Sequence, residues 1–258
     1  MGEGLEVAYA RPMASLPARR PAPFIKNVLV VRERIERPDE YPFTIPAVKA
    51  LDGLTLGAVT YFVGENGSGK STILEAIAVA AGFNAEGGTA NFRFATRRSE
   101  SPLHRCLRLA RIAKPKAGFF LRAESFFNVA TQVEELGVQG YGNVPLHEQS
   151  HGESFLALIQ HRFGPKGLYI LDEPEAALSA SRQLALLVRM RDLLREGSQF
   201  IIATHAPIVL SYPGAIIYGL DEGGISEVPY DQVENVALTR TFLADRERYL
   251  ERLFSHDE

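Results

Sequence analysis

The sequence predicts an α/β fold, a mainly parallel sheet flanked by helices, and three observations carry that prediction. Short apolar runs alternate with segments of helical periodicity along most of the chain, the pattern of strands covered by helices on both faces. A glycine-rich stretch, Gly64 to Thr72, lies between one of these strands and a helix. Two later apolar runs, Leu168–Leu171 and Phe200–Ala203, end abruptly in polar residues, which puts chemistry at the carboxyl edge of the sheet.

Taken in order, Met1 to Pro23 is rich in Ala, Pro and Arg and has no apolar signal-peptide core, so it reads as a flexible arm preceding one domain over 24–258. Phe24 to Ile35 reads as a first strand. Tyr41 to Leu51 reads as a second extended segment, held to edge or bulge geometry by Pro42 and Pro46. Ala58 to Val63 is a buried strand, and Thr72 to Ala81 is a helix that stops at Gly82.

Between these two elements runs Gly64-Glu65-Asn66-Gly67-Ser68-Gly69-Lys70-Ser71-Thr72, a full G-x-x-x-x-G-K-[ST] motif. Glycines let successive backbone N–H groups turn inward as an anion nest, and the helix start adds its positive dipole end. Lys70 is the residue expected to reach the β- and γ-phosphates of a nucleotide, and the Ser71 hydroxyl is expected to ligand Mg²⁺.

The stretch from Asn91 to Lys116 carries Arg93, Arg97, Arg98, Arg105, Arg108, Arg111, Lys114 and Lys116 against Glu100, in a partly helical segment. Two readings stay open: a solvated basic face, or a surface facing phosphates of a nucleotide, a nucleic acid or an acidic partner. Gly118 to Glu124 reads as a strand, Ser125 to Leu136 as a helix, and Ser154 to Arg162 as another. After Leu168–Leu171 come Asp172 and Glu173. Burying that strand brings both acids to its end, Asp172 to hold Mg²⁺ and Glu173 to orient or deprotonate a water. Ser179 to Arg195 is a helix, and Phe200–Ala203 and Ala215–Tyr218 are strands. His205 follows the first of these, either as a cap or as a contact to the γ-phosphate. Asp231 to Phe254 reads as a charged helical tail.

Composition bounds the partners. Of 258 residues, 46% are hydrophobic and 23% charged, and the formal net charge is -3, which does not point to nucleic acid as a whole-chain partner. One cysteine, Cys106, excludes an intrachain disulfide and fits a cytoplasmic setting. No apolar run is long enough to span a bilayer.

The ordered set of motifs resembles the ATP-binding-cassette (ABC) ATPases over roughly residues 24–220. It is more closely similar to small stand-alone bacterial ATPases, often labelled AAA-family although ABC-like in fold. The set comprises Gly64–Thr72, the strand end Arg122–Glu124, the signature-like Ser150-His151-Gly152-Glu153, Asp172-Glu173, the Pro174–Ser179 loop and His205. The resemblance implies an ABC-type P-loop NTPase fold with a small antiparallel β part and a short helical part. It also implies ATP and Mg²⁺ as cofactors, catalysis by Lys70, Glu173 and His205, and a head-to-tail homodimer sandwiching two ATP molecules. In that arrangement Ser150, Gly152 and Glu153 face the nucleotide held by the other subunit's Gly64, Asn66, Gly67, Ser68, Gly69, Lys70, Ser71 and Thr72. The transporter glutamine is absent after the Phe119 strand, and Glu124 stands there as a candidate magnesium ligand. His151 replaces the first signature glycine, and Ser179 replaces the usual loop-ending Asp. Tyr41 is placed to stack on adenine or to pack as an edge tyrosine, and Arg97 and Arg98 are candidate nucleotide contacts. The resemblance implies an ATP-driven switch acting on a protein or nucleic-acid client. A transporter's nucleotide-binding subunit, a DNA-associated ATPase and a small-molecule kinase are the alternatives.

Overall fold

The computed structural model describes residues 21–89, 101–122 and 151–255. Among these residues, nine strands form two sheets. The larger has the order β5-β6-β7-β3-β8-β9, built from β3 (Val59–Gly64), β5 (Ala117–Arg122), β6 (Gly167–Asp172), β7 (Gln199–Ala203), β8 (Ile216–Asp221) and β9 (Gly224–Glu227). All its pairings are parallel except the closing β8–β9 hairpin. The smaller sheet is antiparallel, with β1 (Ile25–Val30) between β2 (Gly53–Thr55) and β4 (Leu107–Arg111).

Alternation along the parallel strands divides the core into two layers. Tyr61, Val63, Tyr169, Leu171, Phe200 and Ile202 point to one face. There α4 (His151–Arg162) and α5 (Ala180–Arg195) add Phe155, Leu158, Leu186, Met190 and Leu193. Phe62, Ile170, Ile201 and Ala203 point to the other, packed by α2 (Lys70–Ala81) and the small sheet. Covering both faces is what lets five strands run parallel.

Side chains of the large sheet fasten the small one to it: the Tyr218 hydroxyl in β8 donates to the Thr55 carbonyl in β2 at 2.9 Å, and Gln199 reaches further. Gln199, fully buried at the start of β7, accepts from the N–H groups of Phe24 (3.3 Å) and Ile25 (3.0 Å). Its amide donates to the carbonyls of Ile25 (2.9 Å) and Gly57 (3.0 Å). Pro21 bridges to Gly57 and Ala22 is buried in the core. The packed chain therefore includes residues that the sequence assigns to the arm; residues 1–20 lie outside the described ones.

Four expectations are corrected. Tyr41–Leu51 is not extended: it turns and then forms the short helix α1 (Pro46–Lys49), because Pro46 takes the first helical position, where its missing N–H costs nothing. The first strand ends at Val30, and a 3₁₀ turn over Arg32–Arg34 follows. In the described part of the basic segment, Leu103–Cys106 is the short helix α3 and Leu107–Arg111, read as part of a helical element, is the edge strand β4. The helical tail is broken into α7 (Glu234–Ala244) and α8 (Arg246–Phe254) by Asp245, whose carboxylate accepts from the Arg248 N–H. The short α6 (Pro207–Leu210) completes the described helices. The sequence-predicted helix Ser125–Leu136 lies outside the described residues.

Candidate functional site

The phosphate loop has the backbone its motif demands. Gly64 closes β3 with φ 147°, and Gly67 and Gly69 have φ 83° and 101°, a region that L side chains rarely enter. A Cβ on Gly64 would run into the Leu220 carbonyl and Ser68 Oγ, and one on Gly69 would meet Ile45. No side chain caps the start of α2, so its first turn presents bare amides to an anion. Lys70 is only 4% exposed. Its ammonium donates to two carbonyls of the loop itself, Gly64 (2.9 Å) and Glu65 (2.8 Å). Burial pushes the Lys70 pKa down, while Glu173, Asp172 and Glu175 pull it back up.

The second half of the site comes from neighbouring strand ends. The Ser71 hydroxyl donates to Asp172 Oδ1 at 3.0 Å, joining residues 101 positions apart. Arg122, opposite Asp172 in the β5–β6 register, donates to Glu75 (2.8 Å) and stands 3.8 Å from Asp172 Oδ2. Glu173 lies one residue beyond β6 in the left-handed region, φ 50° and ψ 53°, at a cost of about 1 kcal/mol for a residue with a Cβ. Its N–H donates to Ala203 at 2.9 Å, which fixes the turn against β7. From the end of β7, His205 brings Nε2 to 3.5 Å from Glu173 Oε1.

Two residues of this cluster carry no motif signal. Glu175 accepts from the His205 N–H at 2.5 Å. Asn235, in the first turn of α7, lies against the His205 ring. An acid just past Pro174 was visible in the sequence; nothing there ties Asn235 to a histidine 30 residues away. Tyr41 does not pack as a buried edge residue: its ring is exposed and its hydroxyl shares a 3.0 Å hydrogen bond with Thr72.

Of the signature-like segment, Gly152 and Glu153 pack on their own chain. A Cβ on Gly152 would strike the Ala177 carbonyl and Arg182, and Glu153 pairs with Arg182 at 3.1 Å. Ser150, Glu124, Arg97 and Arg98 lie outside the described residues. Among the described basic residues, Arg111 is tied to the Ala80 carbonyl at 2.7 Å.

The residues fit a nucleotide phosphate. Ser68 Oγ and His205 Nε2 are buried without a hydrogen-bond partner, and Gly64 leaves a cradle that a Cβ would fill. Ser71 and Asp172 fit a magnesium ion that takes its remaining ligands from phosphate and water. No group of three or more His, Cys, Asp or Glu gathers for a metal among the described residues. A cavity of about 1020 Å³ opens between the loop, His205, the β8–β9 turn and the start of α7. It is lined by Glu65, Asp221, Glu222 and Glu234, and among the described residues no Lys or Arg lines it.

Two domain-family models match the chain. Residues 57–107 match an AAA domain. Residues 107–211 match the family described as "AAA domain, putative AbiEii toxin, Type IV TA system". An uncharacterized ABC transporter ATP-binding protein of Haemophilus influenzae is 30% identical over 91 residues; the match spans 35% of this chain and 35% of that protein. Similar solved structures include the SMC head domain from Thermotoga maritima, with TM-score 0.46 and 17% identity over 80% of this chain and 98% of that one. They also include an ATP-binding cassette of an ABC transporter, with TM-score 0.45 and 18% identity over 86% of this chain and 98% of that one.

Proposed function

We propose that this chain, an ABC-type P-loop ATPase by its motif order, sheet topology and domain matches, binds and hydrolyses Mg²⁺-ATP as a switch. Its ATP-bound form closes as a homodimer and acts on a macromolecular client. The observation that carries this reading is the meeting of Ser71 with Asp172 at 3.0 Å, with Glu173 and His205 on the adjoining strand ends. A chance glycine turn has no reason to aim at an acid 101 residues away.

When bound, Mg²⁺-ATP supplies the phosphoanhydride and the metal that neutralises its charge. Lys70 exchanges its two loop carbonyls for phosphate oxygens, a trade of neutral acceptors for charged ones that favours the ligand. Ser71 and Asp172 would hold the metal. Glu173 takes the proton of the attacking water, and His205 donates to the γ-phosphate from Nε2. Ser150 and Gly152 serve the partner's nucleotide in this scheme.

Glu173→Gln tests it. The substitution removes the base but keeps the shape, so Mg²⁺-ATP should still bind while turnover falls about 100-fold or more. The protein should then accumulate as a dimer in light scattering. A Glu173→Gln protein that binds Mg²⁺-ATP and stays monomeric overturns the sandwich. The printed name of the Haemophilus influenzae relative supports a second reading, a transporter's nucleotide-binding subunit. No described helix is long and apolar enough to cross a membrane, so that reading needs a separate membrane partner, and co-purification with one is its test.

A further inference from the structure

We infer that Asn235 is a positioning residue: it fixes the tautomer of His205 so that the ring proton sits on Nε2, facing Glu173 and the γ-phosphate. The proposal deepens the ATPase reading, on which the γ-phosphate part rests; the tautomer itself does not depend on it.

The geometry leaves one consistent proton arrangement. Asn235 Nδ2 lies 3.4 Å from His205 Nδ1 and 3.5 Å from the His205 carbonyl oxygen. A carbonyl oxygen can only accept, so the amide must turn its NH₂ toward His205. The same NH₂ then requires Nδ1 to accept, and a neutral ring with an accepting Nδ1 carries its proton on Nε2. Nε2 is the buried nitrogen with no hydrogen-bond partner, 3.5 Å from Glu173 Oε1. It is a donor with its acceptor still to come.

The frame around the ring is stiff. Glu175 holds the His205 N–H at 2.5 Å. Val233 and Val236, on either side of Asn235, are buried in the main core. Tyr230 donates to the Pro207 carbonyl at 3.0 Å, tying the approach to α7 to the segment just after His205. A shift of α7 would therefore carry the amide away from Nδ1 and release the tautomer. In this way the C-terminal helices gain a hold on the γ-phosphate contact without touching the nucleotide.

The test uses full-length protein with ¹⁵N-labelled histidine, free of nucleotide, at pH 8.5, above the range where ordinary histidines carry charge. Two-bond ¹H–¹⁵N spectra read the tautomer, and the signals of His205 are those lost in His205→Gln. The expected wild-type pattern is the Nε2–H form. In Asn235→Asp the side chain can only accept, so the ring should switch to Nδ1–H. Steady-state ATP turnover of Asn235→Asp should lose about 10-fold or more in kcat with KM within about 2-fold, and Asn235→Leu should fall between. A wild-type ring in the Nδ1–H form, or an unchanged tautomer in a folded Asn235→Asp, overturns the proposal. A wild-type protein that shows the Nε2–H form but hydrolyses no ATP supports the tautomer assignment and sinks the ATPase reading instead.

Discussion

At the residue scale the site trades stability for readiness. Lys70 is buried against its own loop carbonyls, and burial works against its charge. The sign is clear: the folded pKa is lowered, so a charged Lys70 disfavours folding at neutral pH, and this cost disappears only as pH rises through the unfolded lysine's ordinary value near 10.4. Lys70→Met should therefore raise the nucleotide-free melting temperature at pH 7 in calorimetry. It should also weaken ATP binding by about 100-fold or more, since a charge-assisted phosphate contact is lost. Lys70, Ser71 and Asp172 were legible in the sequence because each sits inside a contiguous motif with a strand before it. Glu175 and Asn235 were not, because what they do depends on a histidine 30 residues away in each case, a relation that only the fold creates.

At the element scale, most of the parallel strands announced themselves as apolar runs, since a strand covered on both faces needs no alternation. The small sheet was less readable. β2 has only three residues, too few for a periodic signal, and β4 looked helical because its arginines and leucines obscure a half-exposed edge. The prolines of Tyr41–Leu51 were read as limits on a strand when Pro46 was starting a helix. Much of what joins this sheet to the larger one is equally invisible in a linear reading: Gln199, polar in a run of apolar residues, satisfies four backbone groups from two other segments. Gln199→Leu should leave those groups buried and unpaired, costing about 3 kcal/mol. In a domain of this size that lowers the melting temperature by roughly 10 °C in calorimetry. A change of under roughly 2 °C would mean that the two sheets hold together without the Gln199 network.

At the scale of the whole molecule the open question is the client, and the charge balance frames it. The chain is slightly acidic overall, at -3, yet Arg105, Arg108, Arg111, Lys114 and Lys116 fall within a dozen residues on and beside the edge strand β4. If nucleic acid is the client, Mg²⁺-ATP turnover should rise with added DNA, and the rise should fade between about 50 and 200 mM salt as phosphate contacts are screened. Turnover indifferent to DNA at both salts would direct the search to a protein partner. The strand order has a further consequence for how the chain can vary. Asp172 pairs with Ala203, Ala203 pairs with Phe62, and Phe62 lies two residues before Gly64. The acids, the histidine and the phosphate loop thus stand on one line across three adjacent strands. Adding or deleting one residue within any of these strands would shift one row of the site against the others. The opposite edge holds none of these site residues: its turns run through Gly164, Gly197 and Gly214, before β6, β7 and β8. A scan of single-residue insertions and deletions should therefore be lopsided, with length changes tolerated in the turns where the strands begin and rejected where they end.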